Sequence, residues 1–175
     1  MKITLSIVLI LLIVGIICYS IGSRLPVDHT TTVSGTVEAS PAKVFALITD
    51  VAHGASWRKS VQGVQMLPPD EGRDSWVEDL GHGEKMSFLA TRTEAPTPTG
   101  HALREVLLND KGASYGGTWT YALSPGPNPN QTTLQITETG FINPPIYRFM
   151  MAHFIGMTRN LDQYMHDIQV AAVKS

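Results

Sequence analysis

Apolar residues along this chain fall into three regimes. From Ile3 to Tyr19 nearly every position is Ile, Leu or Val, and the 21 residues between Lys2 and Arg24 carry no charge. A helix of that length rises about 30 Å, the hydrocarbon thickness of a bilayer. The second regime is alternation. His29–Ala39 places Val33, Gly35, Val37 and Ala39 on one face and Thr32, Ser34, Thr36 and Glu38 on the other, which predicts a half-buried strand. Strands of the same kind are predicted at Val61–Leu67, Asp74–Leu80, Lys85–Thr93, His101–Leu108, Tyr115–Leu123 and Thr132–Gly140. Turn residues separate them: Pro68–Gly72, Gly81–Gly83, Pro96–Gly100, Asn109–Gly112 and Ser124–Gln131. The third regime has helical period. Ile146, Met150, Phe154, Met157, Leu161, Met165 and Ile168 form one stripe after Asn143-Pro144-Pro145, and they predict a terminal helix of about 30 residues with Gly156 as a bending point.

Two short helices complete the order. Ser40-Pro41 is an N-cap followed by Pro at the first helical position, with Val44, Phe45 and Ile48 at helical spacing up to Asp50. Gly54 breaks that helix, and Ser56–Lys59 predicts a second helical turn. Strands joined by short turns make an antiparallel meander, and only the terminal helix is long enough to cover its apolar face. The predicted fold class is α+β: residues 1–25 as an N-terminal transmembrane anchor and residues 26–175 as one domain.

The N-terminal run has a rival reading as a cleaved signal peptide. A signal's apolar core is shorter, about 7–15 residues, and ends at a small-x-small site. Ser20-Ile21-Gly22 matches that poorly, and Ile16-Ile17 before Cys18 does not suit a lipoprotein site. The anchor is therefore the expectation, giving a single-pass membrane protein. Lys2 and Arg24 leave only a slight charge asymmetry, which places the domain on the extracytoplasmic side.

Composition removes several classes. The formal charge is −2 with no basic block, so no nucleic-acid partner is expected. Cys18 is the one cysteine, so neither a disulfide nor a thiol nucleophile in the domain is available. The six histidines lack ligand spacing, and no HExxH, Walker loop, GxGxxG or GxSxG occurs. Neither a metal nor a cofactor is expected.

The opening VSGTVEASPAKVFALITDVAHGASWRKSVQGVQML, with GGTWTYALSP, TTLQITETG and INPPIYRFM, resembles the SRPBCC/START-like superfamily. That superfamily includes START lipid-transfer domains, the major birch-pollen allergen and polyketide cyclases, and the chain is most similar to its polyketide cyclase/dehydrase-like subgroup. The resemblance runs from about residue 30 to the end. It implies a helix-grip fold, with a curved antiparallel sheet of about seven strands around the C-terminal helix and an apolar cavity between them. Candidate lining residues are Trp57, Met86, Phe88, Trp119, Tyr121, Ile136, Phe154, Met157 and Leu161. An ordinary packed core is the competing account of each. Methionines at 150, 151 and 157 favour a cavity, because methionine repacks easily around varied apolar ligands.

Strand phase also turns polar residues inward. Glu138 follows Leu134 and Ile136 at period two, Arg104 lies among Leu103, Val106 and Leu108, and Glu78 shares a face with Trp76. Either these groups reach water at strand ends, or Glu138 pairs with Arg104 inside the cavity, where an unpaired charge would be costly. Glu138 and Arg104 are thus the only acid/base candidates. With so few, the expected function is binding a hydrophobic small molecule or lipid at a membrane. The alternatives are a cyclase or dehydratase using the same cavity, and a structural membrane protein whose cavity is vestigial.

Overall fold

The computed structural model describes residues 2–108, 113–128 and 130–174. Helix α1 (Lys2–Arg24) carries the uncharged run, and its apolar side chains are almost all exposed. After a short link, β1 (Asp28–Val37) enters the sheet. Helix α2 (Pro41–Thr49) starts as its sequence predicts: the Ser40 side chain accepts a hydrogen bond from the Lys43 amide, and Pro41 occupies the first turn. A 3-10 turn (Val51–Ser56) follows. It comes earlier than the predicted Ser56–Lys59 turn, because Gly54 does not break the chain. The Gly54 carbonyl instead accepts the amides of Trp57 and Arg58.

Six strands then meander: β2 (Gly63–Asp70), β3 (Arg73–Gly81), β4 (Glu84–Glu94), β5 (Ala102–Leu108), β6 (Tyr115–Pro125) and β7 (Thr132–Ile142). With β1 they form one curved antiparallel sheet in the order β1-β7-β6-β5-β4-β3-β2. The domain has the α+β helix-grip fold. Strand β2 continues through Pro68-Pro69, where an end had been predicted at Leu67. Proline is tolerated there because β2 is an edge strand and needs no outward N–H. The predicted Asn109–Gly112 turn lies outside the described residues.

The C-terminal segment departs most from its pattern. The stripe predicted as one helix is divided into α3 (Pro145–Met150), a π-helical turn (Met151–Ile155) and α4 (Arg159–Lys174). The break is at Gly156, whose φ of 90° and ψ of 137° favour glycine. The extra residue of the π turn, closed by Gly156 N–H to the Met151 carbonyl at 2.9 Å, rotates the stripe out of phase. Phe154 therefore points outward, 70% exposed. Below the break the period holds: Leu161, Met165 and Ile168 pack on Val37, Val44, Ile48, Leu134 and Ile136. This core fills one end of the grip between α2, α4 and the sheet. The other end is open.

Candidate functional site

At the open end, the concave face of the sheet, α4 and the π turn enclose a cavity of about 580 Å³. Its wall comes from alternate residues of the meander. Met86 and Phe88 project from β4, Arg104, Val106 and Leu108 from β5, and Trp119 and Tyr121 from β6. Cross-strand register aligns them: Phe88 pairs with Leu108, Val106 with Trp119, and Arg104 with Tyr121. Burial gives the cavity a direction. Arg104, Glu78, Tyr121 and Tyr164 are buried at its deep end, whereas Tyr115, Tyr147 and Ile155 are exposed at its mouth.

The deep end is polar and tightly arranged. Arg58 forms a two-pronged pair with Glu78: Nη1 donates to Oε1, and Nη2 donates to Oε2 at 2.8 Å. Trp76 Nε1 also donates to Glu78 Oε1, at 3.0 Å. Arg58 lies 4.9 Å above the Tyr164 ring. The Tyr164 and Tyr121 rings have centres 5.3 Å apart. Burial pushes the Tyr121 hydroxyl well above the ordinary phenol range, and Tyr164 reinforces the shift. Burial raises Tyr164 as well, opposed by the Arg58 charge. Both phenols are therefore protonated donors at neutral pH. Burial also works against the Arg58 cation, but Tyr164 and Glu78 outweigh it and hold its pKa above the usual value. Arg104 shifts the other way. Burial lowers its pKa, only partly countered by Asp74.

A second pair lies nearer the mouth than Arg104. His29 Nε2 is 3.7 Å from Glu138 Oε1, with side chains 16% and 22% exposed. The Glu138–Arg104 pair considered from strand phase does not form. Glu138 lies opposite Trp119 on β6, and Arg104 lies opposite Tyr121, one row deeper and on β5. With β6 between their strands and one row of offset, Glu138 instead approaches His29 and Arg104 approaches Asp74. Both residues line the cavity all the same.

Of the residues singled out from sequence, Met86, Phe88, Trp119, Tyr121 and Met157 line the cavity. Ile136 and Leu161 are buried in the packed core. Trp57 sits behind the wall, edge-on to Tyr164 with ring centres 5.5 Å apart. Phe154 faces outward. Sequence reasoning missed Arg58, Tyr164 and His29. Tyr164 was detectable, being three residues from Leu161 on the buried stripe. Arg58 lies between elements, where no period assigns it a direction. Among the described residues, no group of His, Cys, Asp or Glu is placed to hold a metal.

The fold recurs in solved structures. The Zhui aromatase/cyclase from a Streptomyces species superposes with a TM-score of 0.66 at 14% identity, over 84% of this chain and 94% of that one. Norcoclaurine synthase from Thalictrum flavum gives 0.61 at 12% identity, over 85% and 88%. A START superfamily protein from Mycobacterium smegmatis gives 0.61 at 15% identity, over 83% and 98%. At these identities the likeness is one of fold. No curated protein matches the sequence. The family model described as "Polyketide cyclase / dehydrase and lipid transport" matches residues 28–169, all but the ends of the domain. This chain therefore belongs to the polyketide cyclase/dehydrase and lipid-transport family, within the SRPBCC/START-like superfamily.

Proposed function

We propose that residues 1–25 anchor the chain in a membrane and that residues 26–175 bind a hydrophobic small molecule or lipid without transforming it. The observation that carries this reading is a 580 Å³ cavity, walled by Met86, Phe88, Val106, Leu108 and Trp119, whose deep carboxylate is already committed. Glu78 accepts from both Arg58 and Trp76, so it is badly placed to exchange a proton with a substrate. Burial keeps the two deep phenols protonated, so each retains an O–H to donate. A cyclase or dehydratase reading rests on His29 and Glu138, which line the cavity beside Trp119 with side chains 16% and 22% exposed.

The placement of the mouth supports the membrane part. Its rim is built by Tyr147, Met151 and Ile155, from the segment that packs on the C-terminal end of α1. A Cβ at Gly22 would overlap the Pro145 carbonyl, and Arg148 Nε donates to the Gly22 carbonyl at 3.0 Å. Ile146, Tyr147, Met150, Phe154 and Ile155 expose apolar surface beside α1. With α1 across a bilayer, that surface meets the acyl boundary and the cavity opens toward it. The Thr4–Arg24 span also suits a signal sequence by length and composition, but α1 docked on α3 gives it a place in the folded molecule.

The test uses the full chain in lipid nanodiscs with a diazirine-bearing hexadecanol. Irradiation should label peptides from β4 and β6. Met157→Trp should reduce that labelling several-fold while leaving the melting temperature nearly unchanged, because the new ring occupies open space. In a solid core the same change would cost about 1–3 kcal/mol of stability. A large loss of stability with no labelling of the wild-type cavity would overturn the carrier reading.

A further inference from the structure

Arg104 is 1% exposed and lines the deep end of the cavity. Its Nε and Nη2 atoms are both buried and have no hydrogen-bond partner among the described residues. These two N–H groups form one edge of the guanidinium, the edge that meets the two oxygens of a carboxylate side by side. Among the described residues, no carboxylate fills that role. The nearest acidic oxygen, Asp74 Oδ2, is 4.0 Å from Nη2, beyond hydrogen-bond reach, and the Asp74 side chain is 58% exposed. The Trp76 ring, 5.8 Å away, supplies a face but no acceptor. Glu78 is committed to Arg58. Tyr121 and Tyr164 stay neutral at physiological pH. The deep end therefore holds a guanidinium, costly to bury unless it is well paired, whose countercharge is a half-exposed carboxylate 4.0 Å away.

We infer that Arg104 is the headgroup site for an amphiphile with a single carboxylate, bound with its acid at the deep end and its apolar chain toward the mouth. One weakly compensated charge and one two-donor edge without a hydrogen bond match a carboxylate better than a doubly charged phosphate. Behind the headgroup, Val106 and Leu108 follow Arg104 on the same face of β5 and cover about 13 Å of wall at strand spacing. Phe88 and Trp119 flank that line. The cavity thus has an acid-binding end, a mostly apolar barrel with Glu138 beside Trp119, and an exit at the α3 rim. This assignment rests on the carrier reading and narrows it to acidic lipids and similar long-chain acids.

The experiment adds a diazirine-bearing hexadecanoic acid to the alcohol already described, on the full chain in nanodiscs. The wild-type chain should give about tenfold more labelling of β4–β6 peptides with the acid than with the alcohol, equivalent to about 1.4 kcal/mol. Arg104→Met should bring that ratio to about one. Arg104→Lys keeps the charge without the two-donor edge and should fall between them, which provides a reading if the methionine variant folds poorly. Equal labelling of the wild type by acid and alcohol would overturn the headgroup assignment alone. So would a preference that survives in Arg104→Met. Labelling by neither probe would overturn the carrier reading and this one with it.

Discussion

Both oxygens of Glu78 are committed inside the protein, to a guanidinium and an indole, and the residue is only 2% exposed. Such a pair adds little net stability when intact, but removing one member strands the other charge. Glu78→Gln should therefore destabilise the domain by about 3–5 kcal/mol. At about 2–4 °C per kcal/mol for a domain of this size, the melting temperature should fall by roughly 10 °C. Converting both partners, as Arg58→Met with Glu78→Leu, should recover most of that loss, since no charge is left buried. Thermal unfolding of the single and double variants measures the difference. If the double variant is no better than the single, the pair is not what holds this end of the grip together. The same residues mark the limit of reading a site from sequence. Period-two alternation places Glu78, Arg104 and Glu138 on the inner face, because side-chain direction in a strand is a local property. Their partners are fixed by register and strand order, so Arg58 reaches Glu78 across 20 residues and Glu138 meets His29 instead of Arg104.

The strands were legible nearly to the residue, since each half-buried face alternates and each turn has its Gly, Pro, Asn or Asp. The C-terminal segment was less so. Its apolar residues keep a helical spacing throughout, but spacing cannot show that the five residues Met151–Ile155 wind as a π turn or that Gly156 leaves the helix. That glycine determines where the cavity wall ends and the exposed rim begins. A Cβ there would meet nothing within 4 Å, so backbone conformation alone accounts for the preference. Gly156→Ala should cost about 1–3 kcal/mol, the usual expense of holding a side chain in a region reserved for glycine. Thermal unfolding checks this, and amide exchange at Met151–Met157 locates it. An unchanged melting temperature would mean that the segment tolerates a continuous helix, in which case Phe154 would swing back toward the cavity.

The whole molecule couples an apolar helix to a ligand-sized cavity through a small contact: Gly22 against Pro145, and Arg148 reaching Gly22, Ile142 and Asn143. Full-length protein should remain in the membrane pellet after a carbonate wash. Release into the supernatant, or a mature N-terminus near residue 22, would reassign α1 as a removed leader. Strand order has a consequence of another kind. Strand β1 is the first piece of the domain to be synthesised, yet its only sheet neighbour is β7, and the Thr32–Thr137 contact joins residues 105 positions apart. Helix α4, which closes the core over that pairing, comes later still. The grip cannot form until almost the whole chain has left the ribosome. If α1 has inserted by then, β1 waits beside the bilayer with its apolar face uncovered and its edge unpaired, exposed to misassembly. Such non-local pairing also folds slowly. In the cell, this protein's yield should depend on how well that waiting strand is protected during synthesis.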